Sequence, residues 1–151
     1  KVGIETNGSR PESIKCLLRE KLIDFVALDL KSPLDDFYFE RTTKSKTFFK
    51  TTSDVISNLK ESMRILNESN IDVEVRTTIV PEFMYNEKDI LAIAEIVNGL
   101  KFRWILQTFI SEGKELVEKE FKEKPCPTEH YLNGLKDLCL KKYPHLLIEI
   151  K

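Results

Sequence analysis

Five short apolar or alternating runs punctuate the chain: Val2–Thr6, Phe25–Lys31, Val73–Val80, Arg103–Phe109 and Leu146–Ile150. Their length and β-branched or aromatic content predict strands. Between them, apolar positions recur every three or four residues, the period of a helix with one buried face. Ile14, Leu17, Leu18 and Leu22 follow Ser9 and Glu12, a spacing that predicts a capping box. Ile56, Leu59, Met63 and Leu66 form a second stripe, closing near Asn70. Asn86 is positioned to cap a third helix through Ile90, Ala94 and Val97, ending at Asn98-Gly99. Thr128 is positioned to cap a fourth through Leu132, Leu135, Leu138 and Cys139, stopped before Pro144. Two segments look irregular: Asp35–Thr52, rich in aromatics and threonine, and Ser111–Thr128, crowded with glutamate and lysine. The latter reads as a solvated loop or a short exposed helix.

Strand–helix alternation at this spacing predicts βαβ units and a parallel sheet. The chain is therefore expected to be α/β, either an open doubly wound sheet or a complete or partial barrel, with residues 1–151 forming one unit. Side chains alternate along a strand, so each run divides into two faces. Val26, Leu28 and Leu30 share one face; Phe25, Ala27, Asp29 and Lys31 share the other. Val73, Val75, Thr77 and Ile79 oppose Glu74, Arg76 and Thr78. Glu5 falls on the face of Gly3, and Gln107 on that of Ile105 and Phe109. If the polar faces point inward, Glu5, Asp29, Lys31, Glu74, Arg76 and Gln107 converge. Most lie in the C-terminal half of their strands, where parallel α/β proteins place ligands. Buried polar side chains must pair or meet a ligand, and this mixture suits a zwitterionic or polyhydroxylated small molecule. For any one pair, such as Asp29–Lys31 or Glu74–Arg76, an ordinary surface ion pair explains the residues as well.

Composition narrows the function. With 151 residues and 41% hydrophobic content the chain can bury a core, and 24 basic against 25 acidic residues give a net charge of −1. That balance disfavours a nucleic-acid binder and a disordered chain. No apolar run approaches the roughly 20 residues of a membrane helix, and no signal-peptide pattern is present. Cys16, Cys126 and Cys139 are scattered, without CxxC or CxxxCxxC spacing. They suit a reducing cytoplasm, and three isolated thiols supply no zinc or iron–sulfur framework. His130 and His145 read as surface residues. The opening at Lys1, directly in strand-like sequence, is expected to be a fragment's beginning.

Four pieces in order carry a family resemblance: Glu5-Thr6-Asn7-Gly8; Asp24-Phe25-Val26-Ala27-Leu28-Asp29-Leu30-Lys31; Arg76-Thr77-Thr78-Ile79-Val80-Pro81; and Leu106-Gln107-Thr108-Phe109. Phe121, Lys124-Pro125 and Pro127-Thr128-Glu129 extend it. Together they resemble radical S-adenosylmethionine (SAM) enzymes, in particular the activating proteins of anaerobic ribonucleoside-triphosphate reductase and other glycyl-radical enzymes. The resemblance implies a partial (βα) barrel of parallel strands, lacking its N-terminal strands, with SAM inside its C-terminal mouth. It implies SAM contacts at Glu5, Thr6, Asn7, Asp29, Lys31, Arg76 and Gln107, Arg76 facing the SAM carboxylate or ribose. It also implies a monovalent-cation position at Glu5, Thr6 and Asp29.

The family's CxxxCxxC and glycine-rich turn are absent from these residues. The resemblance therefore implies that a [4Fe-4S] cluster belongs to an intact parent only, and that this segment alone is inactive. The parent would cleave SAM reductively to a 5′-deoxyadenosyl radical. Its implied partners are a glycyl-radical reductase and an electron donor such as flavodoxin or ferredoxin; no nucleic acid and no membrane is expected. Two alternatives stay open. One is a 7-carboxy-7-deazaguanine synthase-like enzyme. The other is a degenerate non-catalytic barrel that docks a partner through Phe37, Tyr38, Phe39, Phe48 and Phe49.

Overall fold

A computed structural model describes residues 1–44, 50–80, 86–110 and 124–151. Its strands are β1 (Gly3–Thr6), β2 (Phe25–Asp29), β3 (Asp72–Ile79), β4 (Arg103–Thr108) and β5 (Leu147–Ile150). Its helices are α1 (Pro11–Arg19), α2 (Asp36–Thr43), α3 (Thr52–Glu68), α4 (Glu87–Asn98) and α5 (Glu129–Lys142). All five predicted strands form, each trimmed by a residue or two or, in β3, shifted by one.

Every neighbouring pair is parallel and the spatial order is β1-β2-β3-β4-β5. A doubly wound sheet reverses its order part-way; this sheet does not, and successive crossovers of one hand stack their helices on one face. The result is a partial (βα) barrel. Val26, Leu28, Val73, Val75, Trp104, Leu106 and Ile148 meet helix stripes in one continuous core. The stripes are Ile14 from α1, Ile56, Leu59, Met63 and Leu66 from α3, Ile90, Ile93 and Val97 from α4, and Leu132 and Cys139 from α5. Ala27 and Ile105, on the opposite strand face, are also fully buried but stand outside that core.

Trp104 ties the middle strands together. Its Nε1 donates to Thr77 Oγ1 at 3.0 Å, and the Thr77 hydroxyl donates to the Leu30 carbonyl at 2.8 Å. All three residues are buried.

The caps at Asn86 and Thr128 form: Asn86 Oδ1 accepts from Asp89 N at 2.9 Å, and Thr128 Oγ1 from Tyr131 N at 3.2 Å. The capping box at Ser9 does not. Pro11, with its fixed φ, takes the first turn and leaves Arg10 at the cap without a side-chain bond. Ser9 instead donates its backbone N–H to Asn7 Oδ1 at 3.0 Å. A true capping box opens α3, where Thr51 and Asp54 exchange bonds, which holds the Asp54 carboxyl below its usual range.

The expectation of irregular structure over Asp35–Thr52 needs correction. Eight of its residues form α2, capped by Asp35 Oδ1, which accepts from Phe37 N at 3.0 Å and Tyr38 N at 3.3 Å. The helix buries only Phe39, so no stripe marks it. Phe37 and Tyr38 are exposed and pack edge to face. Phe48 and Phe49, and residues 111–123 of the glutamate–lysine segment, lie outside the described residues.

Candidate functional site

Register brings the predicted polar residues into rows across the face opposite the helical core. Glu5 pairs with Ala27, Ala27 with Glu74, and Glu74 with Arg103. One row nearer the strands' C-terminal ends, Asp29 pairs with Arg76, Arg76 with Ile105, and Ile105 with Glu149. Thr78 and Gln107 form the next row.

The rows are knitted by charge. Arg76 Nε donates to Glu74 Oε1 at 2.6 Å, and its Nη1 donates to Glu5 Oε1 at 2.5 Å. Burial works against the Arg76 charge, but the bonds to Glu5 and Glu74 more than offset it and raise its pKa above the ordinary value. Glu74 is 2% exposed, and a carboxylate so buried requires partners. Arg103 Nη2 and Lys151 Nζ each lie 3.6 Å from its other oxygen, and Arg103 Nη1 lies 3.5 Å from Glu149. Lys31 Nζ lies 3.2 Å from Asp29.

The turn after β1 is built by its own side chains. Gly8 N donates to Thr6 Oγ1 at 3.1 Å, and Gly8 adopts φ of +70°, a conformation that favours glycine. From α3, the Ser62 hydroxyl donates to the Gly8 carbonyl at 2.7 Å, and Asn58 Nδ2 to the Ser9 carbonyl at 3.3 Å. This fastening sets Asn7 at the rim of a cleft of about 390 Å³. Asp29, Lys31, Phe39, Thr42 and Lys50 line it further.

The seven predicted site residues therefore divide. Glu5 and Arg76 are bonded directly. Asn7, Asp29 and Lys31 share the cleft. Thr6 serves its own turn. Gln107, half-buried, stands on the same strand face opposite Thr78. Arg103, Glu149 and Lys151 join the charged face unforeseen. Arg103 was readable: it lies four residues before Gln107, hence on the same face. Glu149 alternates with buried Ile148 in β5, and Lys151 follows directly after the strand.

Among the described residues no cluster of His, Cys, Asp or Glu is placed to hold a metal ion. The three cysteines stand apart: Cys16 is exposed on α1, Cys126 is exposed before α5, and Cys139 is buried on α5. Burial pushes the Cys139 thiol up to about 11, so it is no thiolate donor at neutral pH. These residues do not fit an iron–sulfur cluster. Among the described residues, no helix is long and apolar enough to cross a membrane.

A charged inner strand face, helices over the outer face and a cleft at the C-terminal strand ends define a partial (βα) barrel, with its candidate site where such folds place ligands. Comparison with known proteins gives that class its kin. The chain is 35% identical over 150 residues to a protein of Methanocaldococcus jannaschii provisionally named a glycyl-radical enzyme activating enzyme. The match covers 97% of this chain, which spans 58% of that relative's length. A domain of the pyruvate-formate lyase-activating enzyme from Bacteroides vulgatus superposes with a TM-score of 0.67 at 17% identity, covering 99% of this chain and 80% of that one. A radical SAM methyltransferase from Sphaerobacter thermophilus superposes with a TM-score of 0.70 at 13% identity, covering 99% of this chain and 39% of that one. No protein-family model matches the chain. The solved structures show the fold, and the curated relative adds sequence kinship; together they bear out the resemblance to the radical SAM superfamily.

Proposed function

We propose that this chain is the SAM-holding barrel segment of a glycyl-radical enzyme activating enzyme. The observation that carries the reading is the charged strand face centred on Arg76, in a chain 35% identical to a relative of that name. The donor set fits SAM chemically. Arg76 and Lys31 offer cations to a carboxylate. Glu5 and Asp29 offer acceptors to an ammonium group or ribose hydroxyls. Thr6, Asn7 and Gln107 add neutral donors and acceptors at the strand ends. In the same reading Glu5, Thr6 and Asp29 also form the monovalent-cation position.

When bound, SAM would supply the radical chemistry of the longer parent, with the electron coming from the parent's cluster and the glycine of a partner enzyme as the hydrogen donor. The residues of this chain orient it. Arg76, gripped by buried Glu74, turns its other edge to the exposed Glu5 carboxylate, which a ligand carboxylate would replace. Ala27 and Ile105, buried in the rows between the charges, keep the floor of that face apolar, which strengthens the polar contacts above it.

In this reading the cluster cysteines, the electron donor and the anaerobic reductase that serves as partner lie with a longer, cytoplasmic parent, and the present segment alone is inactive. The name of the curated relative favours this activase over a deazaguanine synthase. The test is anaerobic incubation of the full-length gene product with SAM and a strong reductant. Formation of 5′-deoxyadenosine by the parent, and none by residues 1–151, is the expected result. Cleavage by residues 1–151 alone would overturn the assignment of the cluster to the rest of the parent. No cleavage by an iron-loaded parent would overturn the enzymatic reading.

A further inference from the structure

Arg76 is held from two unequal sides. Its Nε edge meets Glu74, whose side chain is 3% exposed; its Nη1 meets Glu5, whose side chain is 76% exposed. The first carboxylate is fixed in the sheet. The second stands in solvent and can be exchanged for a carboxylate arriving from outside, with no change in the charge that Arg76 faces. Glu74 also draws two further cations, with Arg103 and Lys151 each 3.6 Å from its second oxygen. From this geometry we infer that Glu74 is a positioning residue: it sets the orientation of Arg76 so that the outer guanidinium edge receives the carboxylate of the ligand. The inference rests on the reading of the site as SAM-binding.

The physical case is one of preorganisation. A free arginine side chain samples many rotamers, and immobilising it on binding opposes affinity. A buried carboxylate on the Nε edge removes that freedom in advance and leaves the planar fork facing outward. The edge that the exposed Glu5 carboxylate holds lies on the inner strand face, in register with Asp29 of the cleft.

Isothermal titration of the protein with two probes tests this. SAM carries the amino-acid carboxylate; 5′-methylthioadenosine lacks it. Glu74→Gln is expected to weaken SAM about tenfold, the scale of one charge-assisted contact, and to leave methylthioadenosine within about twofold. In an Arg76→Gln background, Glu74→Gln should change SAM affinity by less than about twofold, because the route through Arg76 is gone. Glu74→Asp, which keeps the charge, should recover part of the loss. Equal weakening of both probes, an unchanged SAM affinity, or a full effect persisting without Arg76 would each overturn the inference. Should Glu74→Gln fail to fold, Glu74→Asp carries the test: weaker SAM with unchanged methylthioadenosine supports it, and parallel changes overturn it. Failure of the unaltered protein to bind either probe would instead overturn the SAM reading, and the inference with it.

Discussion

Gly8→Ala isolates the contribution of the turn that places Glu5, Thr6 and Asn7. Gly8 has φ of +70°, where an alanine is disfavoured by about 1–2 kcal/mol. A Cβ built there would stand 2.6 Å from Leu59 Cδ1 and 2.9 Å from Leu28 Cδ1. Both contacts are flexible leucine ends, but the residues are 1% and 0% exposed, so they have little space to yield. Overpacking of this kind adds about 1–3 kcal/mol. The combined loss is expected at about 2–4 kcal/mol, since partial relaxation trims the sum. Urea unfolding followed by the fluorescence of Trp104, the only tryptophan, gives the value. Gly99→Ala is the control: its Cβ would meet nothing within 4 Å and its φ is −81°, so it should be neutral or stabilising by up to about 1 kcal/mol. A Gly8→Ala loss below about 0.5 kcal/mol, within the ordinary range of surface changes, would refute the claim that this turn is locked against the core.

Trp104→Phe removes the donor to Thr77 and part of a fully buried ring; a loss of about 1–3 kcal/mol is expected in thermal unfolding by circular dichroism. Alkylation at pH 8 should modify Cys16 and Cys126 within minutes and Cys139 only on unfolding, because Cys139 is buried with its thiol pushed up to about 11; mass spectrometry reads the sites. The same shift has a sign. The folded thiol ionises later than the unfolded one, so its contribution is full below about 8.5 and is lost as pH rises through about 11. Cys139→Ala should remove that alkaline slope in urea midpoints. Asp35→Ala deletes the α2 cap, worth about 1 kcal/mol, and should speed amide exchange over residues 37–40 without moving the global midpoint.

The strands and the long helices were legible because burial on one side imposes a period on the sequence, as in Val26-Leu28-Leu30 and Ile56-Leu59-Met63. The candidate site was legible for the converse reason: Glu5, Asp29, Glu74 and Arg76 interrupt the alternation on the other face. What escaped follows physical rules that leave weaker marks. Helix α2 buries one residue, so a cap at Asp35 was its only signal. The start of α1 was decided by Pro11 rather than by the serine two places earlier. The choice between doubly wound sheet and partial barrel depends on strand order, which local periodicity does not encode. Glu74 is prominent for its depth and for Arg103 and Lys151, which join Arg76 beside it only because β4 lies alongside β3 and the end of the chain alongside β4.

The central claim is that the charged strand face holds SAM. Nitrogen-15 NMR of the labelled protein, titrated with SAM, tests it most directly. The account predicts shifts concentrated at Glu5–Asn7, Asp29–Lys31, Arg76 and Gln107, with the outer surfaces of α3 and α4 unchanged. Shifts confined to those helices, or none at saturating SAM, would contradict it.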